Sequence, residues 1–279
     1  MLRTRVATAV VLLLVMIAAL RAPGSAPFAL LTLVLIAAAG WEWGRLNQAA
    51  GWRAVALAVV LAAACALSLA AGWTAQAPPA AWWLATALWL AGGAVALRGG
   101  PAAWPHLPRL ARWLIGLVGL WAAWLAISHA RVVGINFMLS VFCLVWMADI
   151  AAYFGGRAFG RRKLAPSISP GKSWEGVFSG MAGVLVLGAV WTEVDRRFGV
   201  DGASLYTRLV QGLGWAGSAV ALLALAAMSV VGDLVESLVK RAAGAKDSSR
   251  LLPGHGGVLD RVDALLPVFP IALALVGWR

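Results

Sequence analysis

Apolar stretches about as long as a bilayer core is thick recur along this whole chain, and that pattern leaves few folds open. A hydrocarbon core of ~30 Å takes roughly 20 helical residues to cross. Inside it every backbone N–H and C=O must be paired within the protein, which a helix achieves segment by segment. About nine such runs can be read, near positions 6–20, 28–41, 55–69, 80–97, 113–127, 132–153, 176–191, 212–232 and 262–278. The expectation is an all-α polytopic integral membrane protein with about nine transmembrane helices and charged loops at one surface. With 62% hydrophobic and 12% charged residues and a mean hydropathy of +0.86, the composition excludes an ordinary soluble domain. The first two runs are short for full spans, and Arg21-Ala22-Pro23-Gly24 between them suits either two crossings or a re-entrant hairpin.

The first run follows Arg3 and Arg5 and so resembles a signal peptide. No small-residue cleavage site leads into a soluble domain, so it reads as an uncleaved membrane segment. Cys65 and Cys143 lie inside apolar runs as small hydrophobes, which argues against a disulfide framework or a zinc site. Of sixteen tryptophans, those at run ends (Trp41, Trp43, Trp73, Trp191, Trp278) fit interfacial belts.

A net charge of +12 raises the question of nucleic acid, and its distribution argues for a membrane instead. Threading nine spans with the N-terminus in the cytoplasm puts seventeen Lys and Arg on the cytoplasmic side and six on the other. That is the positive-inside bias of an inner (plasma) membrane protein. The same threading puts the charged loops 155–173 and 240–261 on one cytoplasmic face.

Two zones follow. Residues 1–130 are Ala, Leu, Val and Trp with short connections, an N-terminal transmembrane scaffold with no visible chemistry. Residues 131–279 carry long, charged, glycine-rich connections and read as the catalytic transmembrane domain. No internal repeat of the transporter kind is present, and almost no ionisable group falls near a span's midpoint, which argues against a transporter or channel.

The second zone holds the candidate chemistry. Asp149 and Tyr153 share a helical face at the end of the sixth run, where an aspartate can serve a ligand or simply sit at the interface. Arg161-Arg162-Lys163 follows, then Ser169-Pro170-Gly171-Lys172-Ser173-Trp174-Glu175. The basic residues read either as topology signals held by anionic lipid or, through a Ser-Pro-Gly-Lys turn ahead of a helix, as a cradle for phosphate oxygens. The match of Gly171-Lys172-Ser173 to a P-loop fails, because the first glycine of that pattern is missing. Asp233, Ser237 and Lys240 or Arg241 form one polar stripe at the end of the eighth run, with Glu236 beside it and a Glu236–Lys240 ion pair as the plain alternative. From Ser237 to Asp263 the chain packs five basic residues, three aspartates, a histidine and four glycines between apolar runs. Each charge costs roughly 2.5–3.5 kcal/mol to insert into a bilayer, so this is a solvated loop that handles something charged. Its Pro253-Gly254-His255-Gly256-Gly257 turn leaves the backbone free to approach a ligand. Asp260 and Asp263 share a face at the start of the last run, where helix capping competes with metal binding. Carboxylates facing Lys and Arg suit a divalent cation beside phosphates.

At these residues the chain resembles the phosphatidate cytidylyltransferase, or CDP-diacylglycerol synthase, family. The resemblance runs through Ser237, Lys240-Arg241, Lys246-Asp247, His255-Gly256-Gly257, Asp260-Arg261 and Asp263. Upstream it takes in Gly232-Asp233-Leu234, the 149–157 segment and Ser169 to Glu175, whereas the first 130 residues agree only in being apolar. It implies transfer of CMP from CTP to phosphatidic acid with Mg²⁺ required, in an integral membrane homodimer. By resemblance Asp233 and Asp260 hold the metal, with Asp263 next. Catalytic roles fall on Asp233, Asp260, Lys246, Arg261, Asp247 and His255, and substrate contacts on Lys172, Ser169, Lys163, Asp149, Tyr153, Lys240, Arg241, Gly256 and Gly257. The competing class is another membrane lipid phosphotransferase, such as a polyprenyl-phosphate sugar-phosphate transferase or a lipid kinase.

Overall fold

The computed structural model describes residues 2–198 and 201–277. Each of the nine apolar runs becomes a helix: α1 Leu2–Arg21, α2 Ala26–Leu46, α3 Trp52–Ala70, α4 Pro79–Ala103, α5 Arg109–Val133, α6 Ile135–Phe159, α7 Trp174–Phe198, α8 Leu205–Ala242 and, after a one-turn α9 (Leu259–Val262), α10 Leu265–Val276. Trp278, Arg279 and the side chains of Arg3 and Arg5 lie outside the described residues.

Seven of these, α2 to α8, are long and apolar enough to cross a membrane. The second run therefore passes the length test that it failed on apolar residues alone, because Glu42 to Leu46 continue its helix beyond the run. The last run does not. With 12 residues at 1.5 Å each, α10 reaches about 18 Å. Leu265 to Ala274 are nonetheless all buried, so α10 is a core helix walled in by α4, α5 and α8.

Helices α6 and α7 pack closely because small residues line their seam; a Cβ on Gly180 would stand 2.7 Å from the Ala148 carbonyl oxygen. At one end of this pair Asp201 accepts the N–H groups of Ile135 and Asn136, capping α6, while Asp195 accepts from Asn136, Ser204 and Thr207. At the other end a small hairpin joins α6 to α7, its strands β1 (Lys163–Ala165) and β2 (Ser169–Ser173) antiparallel. The Ser-Pro-Gly-Lys segment is thus a strand, and the turn falls earlier, where the Ile168 N–H meets the Ala165 carbonyl. Pro166 in that turn lacks the donor that a longer ladder needs.

Several tryptophans tie helices together. The buried Trp43 donates its indole N–H to the Arg112 carbonyl, and Trp191 donates to Asn136. A large ring with one donor fills space between helices and also satisfies a buried acceptor.

Candidate active site at one end of the bundle

The two charged loops meet. Lys172 Nζ on β2 lies 2.6 Å from Asp233 Oδ2 on α8, and Arg241 Nε donates to the Ile168 carbonyl at 3.3 Å. Asp233 therefore has a cation partner, supplied by the other loop and not by its own helix. Its second oxygen accepts from Ser237 Oγ at 3.2 Å, and both members of the ion pair stay about a quarter exposed. Lys172 and Asp233 are also the charges that act on the exposed Asp149 of α6, and Asp233 acts in turn on Asp263. Gly232 allows this approach of α8 to the start of α10, since a Cβ there would stand 2.5 Å from the Asp263 carbonyl oxygen. Burial, then the Asp233 charge, pushes the Asp263 carboxyl up to about 7.

Asp260 sits differently. Its Oδ1 accepts from Lys240 Nζ at 2.6 Å, and its Oδ2 accepts from the N–H of Ser248 (2.9 Å), the hydroxyl of Ser248 (2.9 Å) and the N–H of Gly257 (2.8 Å). Burial opposes its charge, but these donors outweigh burial and hold the carboxyl down at about 2. Lys240 also ion-pairs with the buried Glu236, so the intrahelical pair foreseen between them forms. Neither Glu236 oxygen has a hydrogen bond of good geometry.

The remaining predicted residues divide by what they touch. Arg261 is spent on the His255 carbonyl, Arg241 on the carbonyls of Ile168 and Ala245, and Lys163 on the Pro170 carbonyl across the hairpin. Each clamps a loop. Tyr153 is exposed and accepts from Arg157, while His255 makes one long contact, 3.5 Å to the Pro253 carbonyl. Ser169 opens β2 with its side chain unpaired, and Lys246 and Asp247 are exposed with no hydrogen bond or ion pair among the described residues. Gly256 takes φ +88°, open to glycine at little cost, and Gly257 is buried.

Two carboxylates carry structure that the sequence reading did not assign. Glu175 accepts the N–H groups of Arg161 and Arg162 and pairs with the Arg162 side chain, fixing the exit from α6. Glu42, on scaffold helix α2, reaches the C-terminal loop and takes the N–H groups of Val258 and Leu259, which is the capping role considered for Asp260 and Asp263. An acidic residue between two tryptophans at the end of an apolar run was the available signal.

No trio of His, Cys, Asp or Glu among the described residues is gathered into a ready metal cage. The chemistry of the donor set nevertheless suits a hard cation at the open cluster. Asp233 and Asp263 lie on adjoining helix ends with Lys172 and Lys240 as the cations that act on them, and burial first, then the Asp233 charge, presses Asp263 toward neutrality.

A polytopic helical membrane protein with an acidic and basic site at one end of its bundle is the class that fold and site define. The chain belongs to the Cytidylyltransferase family, whose model matches residues 3–278. Similar proteins include a phosphatidate cytidylyltransferase of Pseudomonas aeruginosa, 40% identical over 100% of this chain and 99% of that protein. One of Haemophilus influenzae is 48% identical over 51% of this chain and 46% of its own length. A chloroplastic one of Arabidopsis thaliana is 38% identical over 62% of this chain and 36% of its own. The H. influenzae and A. thaliana matches thus each span less than half of the relative, whereas the P. aeruginosa match runs end to end.

Proposed function

We propose that this protein transfers CMP from CTP to phosphatidic acid, forming CDP-diacylglycerol and pyrophosphate. The observation that carries the reading is the partly open Lys172–Asp233 pair, which joins α8 to the basic hairpin where Gly232 meets the Asp263 backbone, in a chain of the cytidylyltransferase family. A phosphatidate oxygen attacks the α-phosphorus of CTP, and the bond to the departing pyrophosphate breaks, so no protein nucleophile is required. A phosphomonoester's second ionisation lies near pH 6, so the attacking oxygen needs no strong general base.

Asp233 and Asp263, with Asp149 beside them, would hold Mg²⁺. When bound, the ion neutralises phosphate charge and aligns the two polyanions. Asp260 is left out of this set because its oxygens already take four donors. Lys172 is the cation poised to pass from Asp233 to a substrate phosphate, and the unpaired Lys246 is the next. Holding two polyanions in line between α6, α8 and the loops supplies the rate enhancement.

The reading includes a cytoplasmic placement of both loops in an inner membrane, supported by the seventeen-to-six split of basic residues. It also includes a homodimer, as the resemblance implies; the exposed Trp146, Phe154 and Phe178 on α6 and α7 offer apolar area for it. The deciding assay is formation of CDP-diacylglycerol and pyrophosphate in equal amounts from CTP and phosphatidate in liposomes, dependent on Mg²⁺. Turnover of UDP-sugars or ATP in place of CTP would instead select the lipid phosphotransferase alternative.

A further inference from the structure

Glu42 belongs to the scaffold helix α2, yet its whole carboxylate is committed to the loop between α8 and α9. It is 0% exposed. Oε1 accepts from Ser249 Oγ at 2.5 Å and from the Val258 N–H at 3.0 Å, and Oε2 accepts from the Leu259 N–H at 2.7 Å and lies 3.1 Å from Ser248 Oγ, whose one proton it shares with Asp260. Three donors of its own and the shared Ser248 hydroxyl take up most of the roughly four acceptor positions that a carboxylate has. An amide in its place would offer fewer acceptors and turn N–H groups of its own toward N–H groups that already donate. No other side chain serves these two backbone donors, since α9 has no capping side chain of its own.

The contact reaches further through Ser248. Its hydroxyl lies between Glu42 Oε2 and Asp260 Oδ2, and Asp260 in turn meets Lys240, which pairs with Glu236. A buried polar path therefore runs from α2 through the loop to α8. Gly257 is a glycine for the same reason: a Cβ there would stand 2.0 Å from Ser248 Oγ and 2.5 Å from Glu42 Oε1. This glycine was expected to admit a ligand, and the atoms that approach it are Glu42 and Ser248. Between Ala243 and Val258 the chain has no helix or strand, only the isolated Leu252–Gly256 bridge, so side-chain bonds of this kind set its course.

We infer that Glu42 is a positioning residue for the reaction: it seats the loop that leads into Asp260 and Asp263 and so sets the metal-binding geometry from the scaffold side, without touching substrate. The inference rests on the proposed reading for its catalytic consequence alone; the seating of the loop stands on geometry.

Glu42→Gln in the full-length protein tests both parts. Hydrogen exchange of the purified, detergent-solubilised variant should rise at least tenfold in 244–258 while the spans keep wild-type protection. In the CTP and phosphatidate assay the Mg²⁺ concentration for half-maximal turnover should rise at least tenfold, with excess Mg²⁺ restoring part of the rate. A mere loss of folded protein lowers turnover without moving that concentration, so an unchanged Mg²⁺ dependence would overturn the positioning role. Unchanged exchange in the loop would overturn the seating itself. Ser249→Ala, which removes one donor from an otherwise intact loop, should shift both readouts in the same direction by roughly threefold, and covers the case in which the Gln variant fails to insert. If wild-type protein makes no CDP-diacylglycerol, the proposed reaction falls while the exchange experiment still decides whether Glu42 holds the loop.

Discussion

Asp233 and Asp260 are both aspartates at one end of the bundle, both lie within reach of a lysine, and their surroundings differ. Asp260 meets a lysine, two backbone N–H groups and a serine hydroxyl, all fixed by the fold and largely closed to water. Asp233 meets one lysine and one serine and remains open to water. The number of protein donors decides the difference. A carboxylate with every lone pair taken is a structural anchor, whereas one with acceptor capacity left over and a movable cation beside it can exchange partners with a ligand.

That contrast can be broken by experiment. The largest expected effect on turnover is at Asp233: Asn there should lower it on the order of a thousandfold, as removal of a charge that holds a hard cation does. Thermal stability should hardly change, because the pair with Lys172 is partly exposed and such pairs contribute about 0–1 kcal/mol. Chelation of divalent cations should reproduce the loss in wild-type protein and added Mg²⁺ should reverse it; turnover in the presence of chelator would remove the metal from the reading.

Asp260→Asn should instead destabilise. It leaves the buried Lys240 with one fewer partner, and breaking a buried pair costs about 3–5 kcal/mol. A drop in melting temperature on the order of 10 °C is expected for a chain of this size. A stable but inactive Asp260→Asn protein would return Asp260 to the metal site and dissolve the contrast.

Lys172→Met should lower kcat/KM about a hundredfold with the fold intact, if the lysine passes from Asp233 to phosphate. Wild-type kinetics in that variant would reduce β2 to a topology signal. The smallest effect is expected at Lys246, exposed and unpaired: Ala there should raise the KM for CTP by about tenfold at most, with the melting curve unmoved. Cysteines placed at Arg162 and Ser249, in a chain lacking Cys65 and Cys143, should both label only from the cytoplasmic side, and opposite labelling would separate the two loops that the single site requires.

The length of the apolar runs was enough to locate nine helices, since a bilayer demands unbroken apolar length whatever the neighbours are. Charge density likewise marked both loops, because those groups have no place in hydrocarbon. Sequence spacing could also pair Glu236 with Lys240, one turn apart on a helix. It could not pair Lys172 with Asp233 or seat Glu42 against Val258, because those contacts join segments 61 and 216 positions apart and depend on how helices cross. Nor could it tell that α10 stops short of a full span yet lies in the core, or that Trp43 and Trp191 bond across helices. Residue type and local period are properties of the chain. The number of donors a carboxylate meets is a property of the packing, and that number distinguishes the enclosed Asp260 from the open Asp233.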